Sequence, residues 1–334
     1  MDANEDGKRA YGEPPEGCCR PLIPVARPRR TVAFPVAERL GTVLLRGPRA
    51  RGTRTDTTGA WPVSALGRSA RRWWDDGWRE AGPAQGCVRV PAGCELGLRL
   101  AREADGQALV DLCPGDLQCL SIRQAMESVL RLLGELEGLV ALDLWGAEVD
   151  DDAMFAVAAC RNLEALDLWG TRVGPAGLAR LGCLAGLRRL TAPGDSWGDD
   201  AAAGLGLFPG LHVLDLSGTM IGDQGIDRMD GVPLLTRLSL WGTRVTDRAL
   251  PLLARLPRLS GLDLGDTAVT DAGLDALVGL RRLRSVSLQD ALVSREGLER
   301  FRAARPDCRI EPRPDRGGYH GVRSRAARPG LRGV

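Results

Sequence analysis

Between Leu117 and Glu311 the apolar residues fall into columns rather than scattered patches. Read in steps of 24 residues, one column holds Leu139, Leu163, Leu187, Leu211, Leu235, Leu259 and Leu283. Three residues on stand Leu142, Leu166, Leu190, Leu214, Leu238, Leu262 and Val286, and two further on Leu144, Leu168, Ala192, Leu216, Leu240, Leu264 and Leu288. A fourth column holds Val149, Val173, Trp197, Ile221, Val245, Val269 and Val293. A fixed period of this length marks a solenoid, whose units bury their apolar faces only by stacking on one another. Seven units are in register, which is why the hexapeptide LWGTRV occurs in both the second and the fifth.

Each unit predicts the same elements. Its L-x-x-L-x-L stretch alternates at the period of a strand. A small turn and one more apolar residue follow, and then a short helix. Thr246, Thr270 and Ser294 supply N-cap oxygens for three of these helices. Leu274, Leu277 and Leu280 form the apolar stripe of one. One column is always small, with Ala153, Gly177, Ala201, Gly225, Ala249, Gly273 and Gly297. The missing side chain is expected to let helix and sheet backbones approach. The third unit departs most, and the indole of Trp197 is expected to fill the space that Ala192 leaves. The array is expected to begin earlier, with a strand in LQCLSI (Leu117 to Ile122) and a capping strand in ELGLRL (Glu95 to Leu100). It is expected to end in a truncated strand at CRIE (Cys308 to Glu311).

The unit LSGLDLGDTAVTDAGLDALVGLRR, from Leu259 to Arg282, resembles the bacterial 24-residue type of leucine-rich repeat. That type is similar in turn to the repeats of F-box/leucine-rich-repeat proteins. The resemblance spans about residues 117–311. It implies an α/β leucine-rich-repeat solenoid, with parallel strands on the concave face and short helices on the convex face. Fold alone does not define chemistry.

Outside the array the composition changes. Residues 1–85 are rich in Pro, Gly and Arg without sustained periodicity and are expected to be mostly disordered. Residues 86–116 are expected to form an N-terminal cap, and residues 312–334 a basic disordered tail. The segment RRWWDDGW (Arg71 to Trp78) is an exception, expected to sit on the N-terminal end of the array or to serve as a linear docking motif. Charge follows the same division: the stretch from Arg20 to Arg72 carries +10, the tail +5, and residues 73–311 carry −10. An acidic solenoid between basic arms allows a nucleic-acid or anionic-surface binder as an alternative, though solvated arms are the simpler reading.

Several chemistries are excluded or disfavoured. Lys8 is the only lysine, so neither a P-loop nor a Schiff-base site is available in the folded region. His212 and His320 are the only histidines, and neither lies in a nucleophile motif, so no catalytic residues are expected. Cys87, Cys94, Cys113 and Cys119 lack paired spacing for zinc, and Asp150, Asp151 and Asp152 lack the alternation and glycine of a calcium loop. No metal or cofactor is therefore expected. Cys160, Cys183 and Cys308 fall near core positions and are expected to be small buried residues. The N-terminus has no secretory pattern, no apolar run is long enough for a membrane span, and the cysteine usage suits a reduced cytoplasmic protein.

The remaining candidate is a surface. Strand positions flanking the core leucines face the concave side. One such column carries Asp143, Asp167, Asp215 and Asp263, a second carries Trp145, Trp169 and Trp241, and a third carries Arg189 and Arg237. Parallel strands lie about 4.8 Å apart, so Asp143 is expected beside Asp167 and Trp145 beside Trp169. Aligned like charges beside tryptophan and arginine point to a binding face for another protein. The expected function is a non-catalytic interaction scaffold whose partner the sequence does not name. A substrate receptor of a ubiquitin-ligase-like complex follows as an alternative from the F-box resemblance, although residues 1–116 contain no recognisable F-box.

Overall fold

The computed structural model describes residues 30–34, 40–47, 78–101, 109–110, 112–123 and 127–311. Its fold is an α/β leucine-rich-repeat solenoid. The strands β6 (Cys119–Ser121), β7 (Ala141–Asp143), β8 (Ala165–Asp167), β9 (Arg189–Thr191) and β10 (Val213–Asp215) pair in parallel, in chain order. They continue into β11 (Arg237–Ser239), β12 (Gly261–Asp263), β13 (Ser285–Ser287) and β14 (Arg309–Ile310). Each pairs in register with the next, so that Leu142, Leu166, Leu190, Leu214, Leu238 and Leu262 form one row and are all buried. On the return path run short helices or 3₁₀ turns, including α1 (Glu127–Leu132), α2 (Met154–Ala159), α3 (Pro175–Arg180), α4 (Asp199–Ala203) and α5 (Asp223–Arg228). A 3₁₀ helix over Asp247–Arg255, α6 (Asp271–Val278) and α7 (Arg295–Ala304) complete the series.

The repeated LWGTRV is explained position by position. Leu168 and Leu240, and Val173 and Val245, are buried in the core. Gly170 and Gly242 turn the chain with φ of 72° and 64°, a conformation that penalises a Cβ. Thr171 and Thr243 donate their hydroxyls to the carbonyls of Leu168 (2.6 Å) and Leu240 (2.7 Å), satisfying buried acceptors. Arg172 and Arg244 point to solvent. Thr219 and Thr267 repeat the same threonine bond in the fourth and sixth units.

A second ladder joins consecutive units behind the sheet. Asp151 accepts the N–H of Gly174 (2.6 Å), Asp199 those of Gly222 (2.7 Å) and Gly225 (2.9 Å), and Asp223, Asp247 and Asp271 those of Thr246, Thr270 and Ser294 (each 2.8 Å). In the last three, the second carboxylate oxygen takes the hydroxyl of the same residue at 2.6 Å. Thr246, Thr270 and Ser294 also cap their helices, accepting from the N–H groups of Arg248, Ala272 and Gly297. At four glycines of the small column the space also faces a carboxylate of the preceding unit. A Cβ on Gly225 would stand 2.6 Å from Asp199 Oδ1, and Cβ atoms on Gly177, Gly273 and Gly297 would collide with Asp151, Asp247 and Asp271. At Gly177, Gly225 and Gly273 core side chains crowd the same space, and above Asp223 the ladder accommodates the Cβ of Ala249. Replacing Asp247 by alanine should therefore strand the Thr270 N–H and hydroxyl, lowering stability by about 1–3 kcal/mol in a urea titration. Asparagine at the same position should recover part of that loss, and an alanine variant within experimental error of the parent would contradict the ladder's role.

At the N-terminal end, β5 (Glu95–Leu100) continues the parallel sheet beside β6. Within residues 1–85, expected to be mostly disordered, three stretches form strands. Antiparallel β2 (Gly41–Arg46) pairs with β5, and β3 (Trp78–Pro83) pairs with β2 at the sheet's edge. A separate ribbon forms from β1 (Arg30–Phe34) and β4 (Gly86–Val90). Val32, Phe34, Val43, Leu96 and Leu98 merge with the core of the repeats. Arg30 bonds the Asp116 carbonyl (2.6 Å) and the Gln118 side chain (2.9 Å), while fully buried Gln118 accepts the Leu96 N–H (3.0 Å). At the opposite end, buried Arg305 donates to the carbonyls of Leu280 and Leu283 (both 2.8 Å) and is held by Asp307 (2.9 Å). The guanidinium thus ties the end of the last helix to the chain that enters β13. Residues 1–29, 35–39, 48–77 and 312–334 lie outside the described residues.

Candidate functional site on the concave face

The concave face is built from the strand residues flanking the buried leucines. The acidic column does not stand open to solvent, contrary to expectation. Asp143, Asp167, Asp215 and Asp263 are all buried. Each carboxylate folds back onto the N–H two residues on: Asp143 to Trp145 (2.7 Å), Asp167 to Trp169, Asp215 to Ser217 and Asp263 to Gly265 (each 2.9 Å). This Asx turn ends the strand and satisfies the donor that the next turn leaves over. Adjacent hydroxyls add to it. Ser121 donates to Asp143 (3.1 Å), and Ser217 bonds both Asp215 and Ser239. Burial pushes the carboxyls of Asp215 and Asp263 up to about 7, with the N–H bonds only partly opposing it.

Asp143 and Asp167 hold the backbone N–H groups of Trp145 and Trp169, whose side chains follow adjacent paired strands. The rings stack at 5.5 Å with 12° between their planes. This is the offset arrangement aromatic pairs prefer. Arg123 extends the stack, its guanidinium 4.7 Å from the Trp145 ring centre. It also donates to the Trp145 carbonyl (3.3 Å) and lies 3.8 Å from the Asp143 carboxylate. Both tryptophans are half-buried, so part of each ring meets solvent. Arg123 escapes sequence reasoning because the first unit is two residues short. The pairing of Ser121 with Asp143 places Arg123 in the tryptophan column at a spacing of 22 rather than 24.

Trp241 is not part of that stack, since Pro193 and Ser217 occupy the intervening places in its column. It lies against Gly265 of the next unit, where a Cβ would come within 2.6 Å of the indole. Arg189 and Arg237 are half-buried on β9 and β11, on either side of buried Val213. Towards the N-terminal end the floor is small and apolar, formed by Gly97, Cys119, Ala141 and Ala165. Trp78 closes it. Its ring leans on Gly97, and Arg46 stands 4.7 Å over it while Glu95 holds Arg46. Of the segment RRWWDDGW, only Trp78 is described, and there it is a buried strand residue.

Other candidates resolve as structure. His212 bonds the Gly210 carbonyl (2.7 Å). Cys160 and Cys308 are buried with thiols pushed up to about 12 and about 11 by desolvation, whereas Cys183, expected inside, is exposed. Asp151 belongs to the ladder rather than acting only as a charge at a helix start. Among the described residues no group of three His, Cys, Asp or Glu side chains is placed to hold a metal, and no helix is long and apolar enough to cross a membrane.

No protein-family model matches the chain, and no curated protein matches it. Solved structures similar to it include an internalin (inlF) from Listeria monocytogenes str. 4b F2365. That structure is 15% identical over 61% of this chain and 68% of the other, with a TM-score of 0.42. Another is internalin C2 (inlC2) from the same strain, 22% identical over 53% of this chain and 72% of the other, also with a TM-score of 0.42.

Proposed function

We propose that this chain is a non-catalytic scaffold of the bacterial 24-residue leucine-rich-repeat type, binding a protein partner on its concave face. The observation that carries the reading is the Arg123–Trp145–Trp169 stack. The repeat needs only a small residue in that column, as Ser217 and Gly265 demonstrate. Two half-exposed indoles stacked on one another exceed what folding requires, and tryptophan and arginine dominate interface energetics. We place Arg189, Arg237 and Trp241 on the same interface, with Asp143, Asp167, Asp215 and Asp263 beneath it as positioning residues. The strands before β6 act as the cap of the array. A cytoplasmic location is consistent with the seven described cysteines being free thiols. Joint replacement of Trp145 and Trp169 by alanine should abolish capture of the partner in affinity purification, while the far-ultraviolet spectrum and cooperative unfolding persist. Retention of the same partner by the double variant would refute the assignment.

A further inference from the structure

With every carboxylate of the aspartate column buried, the sign of the accessible charge on the concave face reverses. The charged groups that reach solvent from the strands of the array are arginines: half-buried Arg189 and Arg237, and exposed Arg309. Arg123 adds a fourth guanidinium in the tryptophan column. The chain segment that carries this face is acidic in total, and Glu164, Asp266 and Asp290 flank the strands, yet the charged strand residues of the array that reach solvent are themselves cationic. We infer that the concave groove recognises an acidic, proline-containing segment in the polyproline II conformation. This rests on the concave-face reading above and deepens it by naming the chemistry of the partner.

Three features converge on that ligand. Arg189 and Arg237 sit in register two strands apart, with Val213 between them. Two strand spacings amount to about 9.6 Å. One turn of polyproline II advances about 9.3 Å and brings every third residue to the same side. A segment lying across the strands with an acidic residue at every third position would meet both guanidinium forks, whose planar donors suit carboxylates. The prolines between them would run over Val213, an apolar floor between the two guanidinium forks. The preformed extended helix also loses little conformational entropy on binding. Arg189 and Arg237 already have interactions within the chain, so the ligand exchanges with these rather than filling vacancies. Affinity for a short peptide is therefore expected to be modest and salt-sensitive.

The test uses the full chain and synthetic fluorescent peptides, read by anisotropy at low and at physiological ionic strength. A peptide of four Glu-Pro-Pro repeats should bind. A Glu-Pro alternating peptide with the same number of glutamates should bind several-fold more weakly, and a Lys-Pro-Pro peptide should not bind. Arg189→Ala with Arg237→Ala should weaken the Glu-Pro-Pro peptide by about tenfold, the equivalent of two screened charge contacts. The Arg189→Lys, Arg237→Lys variant keeps the charge and guards against misfolding. It should fall between the two, because it loses the fork geometry. Binding of the lysine peptide, indifference to the alanine pair, or equal competition by an oligothymidylate would overturn the inference, as would the absence of binding to any glutamate peptide. If those results came while the Trp145 and Trp169 variant still lost its cellular partner, the concave interface would stand and only the acidic polyproline assignment would fall.

Discussion

Replacing Leu214 by alanine is expected to lower the free energy of unfolding by about 2–5 kcal/mol. Leu214 is fully buried on β10, in register between Leu190 and Leu238 of the adjoining units. Truncation removes contacts with both neighbours and leaves a cavity that a stack held from each side cannot easily collapse. In a solenoid nearly all stability resides within units and between nearest neighbours, so damage in the middle weakens two interfaces at once. Met220 supplies the control. It lies in the same unit but is 38% exposed, and its replacement by alanine should change stability by no more than about 0.5 kcal/mol. Equilibrium urea titrations of both variants beside the parent protein decide the matter. If the Leu214 variant behaved like the Met220 variant, the core assignment of the leucine rows would be wrong.

The architecture was legible because leucine spacing is a direct image of stacking. A column recurring every 24 residues can be buried only by neighbours in register, and the strands at Leu117–Ile122, Glu95–Leu100 and Cys308–Glu311 fell where that logic put them. The chemistry of the polar columns was less legible. The letters L-D-L give the same pattern whether the carboxylate reaches into solvent or curls back onto an N–H two residues on. Spacing records which face a residue occupies but not its rotamer. The small column was readable as a column, but the carboxylates that face its glycines come from the preceding unit, some two dozen positions away. The strands before the array were hidden for another reason. Arg46 at the end of β2 pairs with Trp78 at the start of β3, and β1 pairs with β4 across more than fifty residues. Non-local pairing of this kind leaves no local periodicity, and the surrounding Pro, Gly and Arg mask what alternation there is.

The burial of the aspartate column leads to the second large effect, in the pH dependence of stability. Asp215 and Asp263 are raised from 3.8 to about 7, chiefly by desolvation, and at Asp263 the charges of Asp215 and Glu311 add to the rise. The folded state therefore holds protons that the unfolded chain has released. The corresponding stability is fully present below about pH 4, where both states are protonated, and is lost as the pH rises towards 7. The ceiling on that loss is roughly 4 kcal/mol for each carboxyl, since one pH unit of difference corresponds to about 1.4 kcal/mol. Groups with the opposite sense act at the acid end: Asp271, lowered by its bonds from Ser294, and Asp307, lowered by Arg305, lose their contribution as the pH falls through the ordinary aspartate value towards their own lower ones. Asparagine at position 263 retains an oxygen for the Gly265 N–H and cannot ionise. The Asp263→Asn protein should then be more stable than the parent at pH 8 by about 1–4 kcal/mol, with the difference shrinking towards zero near pH 4. Thermal unfolding of both proteins across that range is the direct measurement. Parallel profiles, with no narrowing of the gap as the pH falls, would show that the Asp263 carboxyl is ionised in the folded protein much as it is in water.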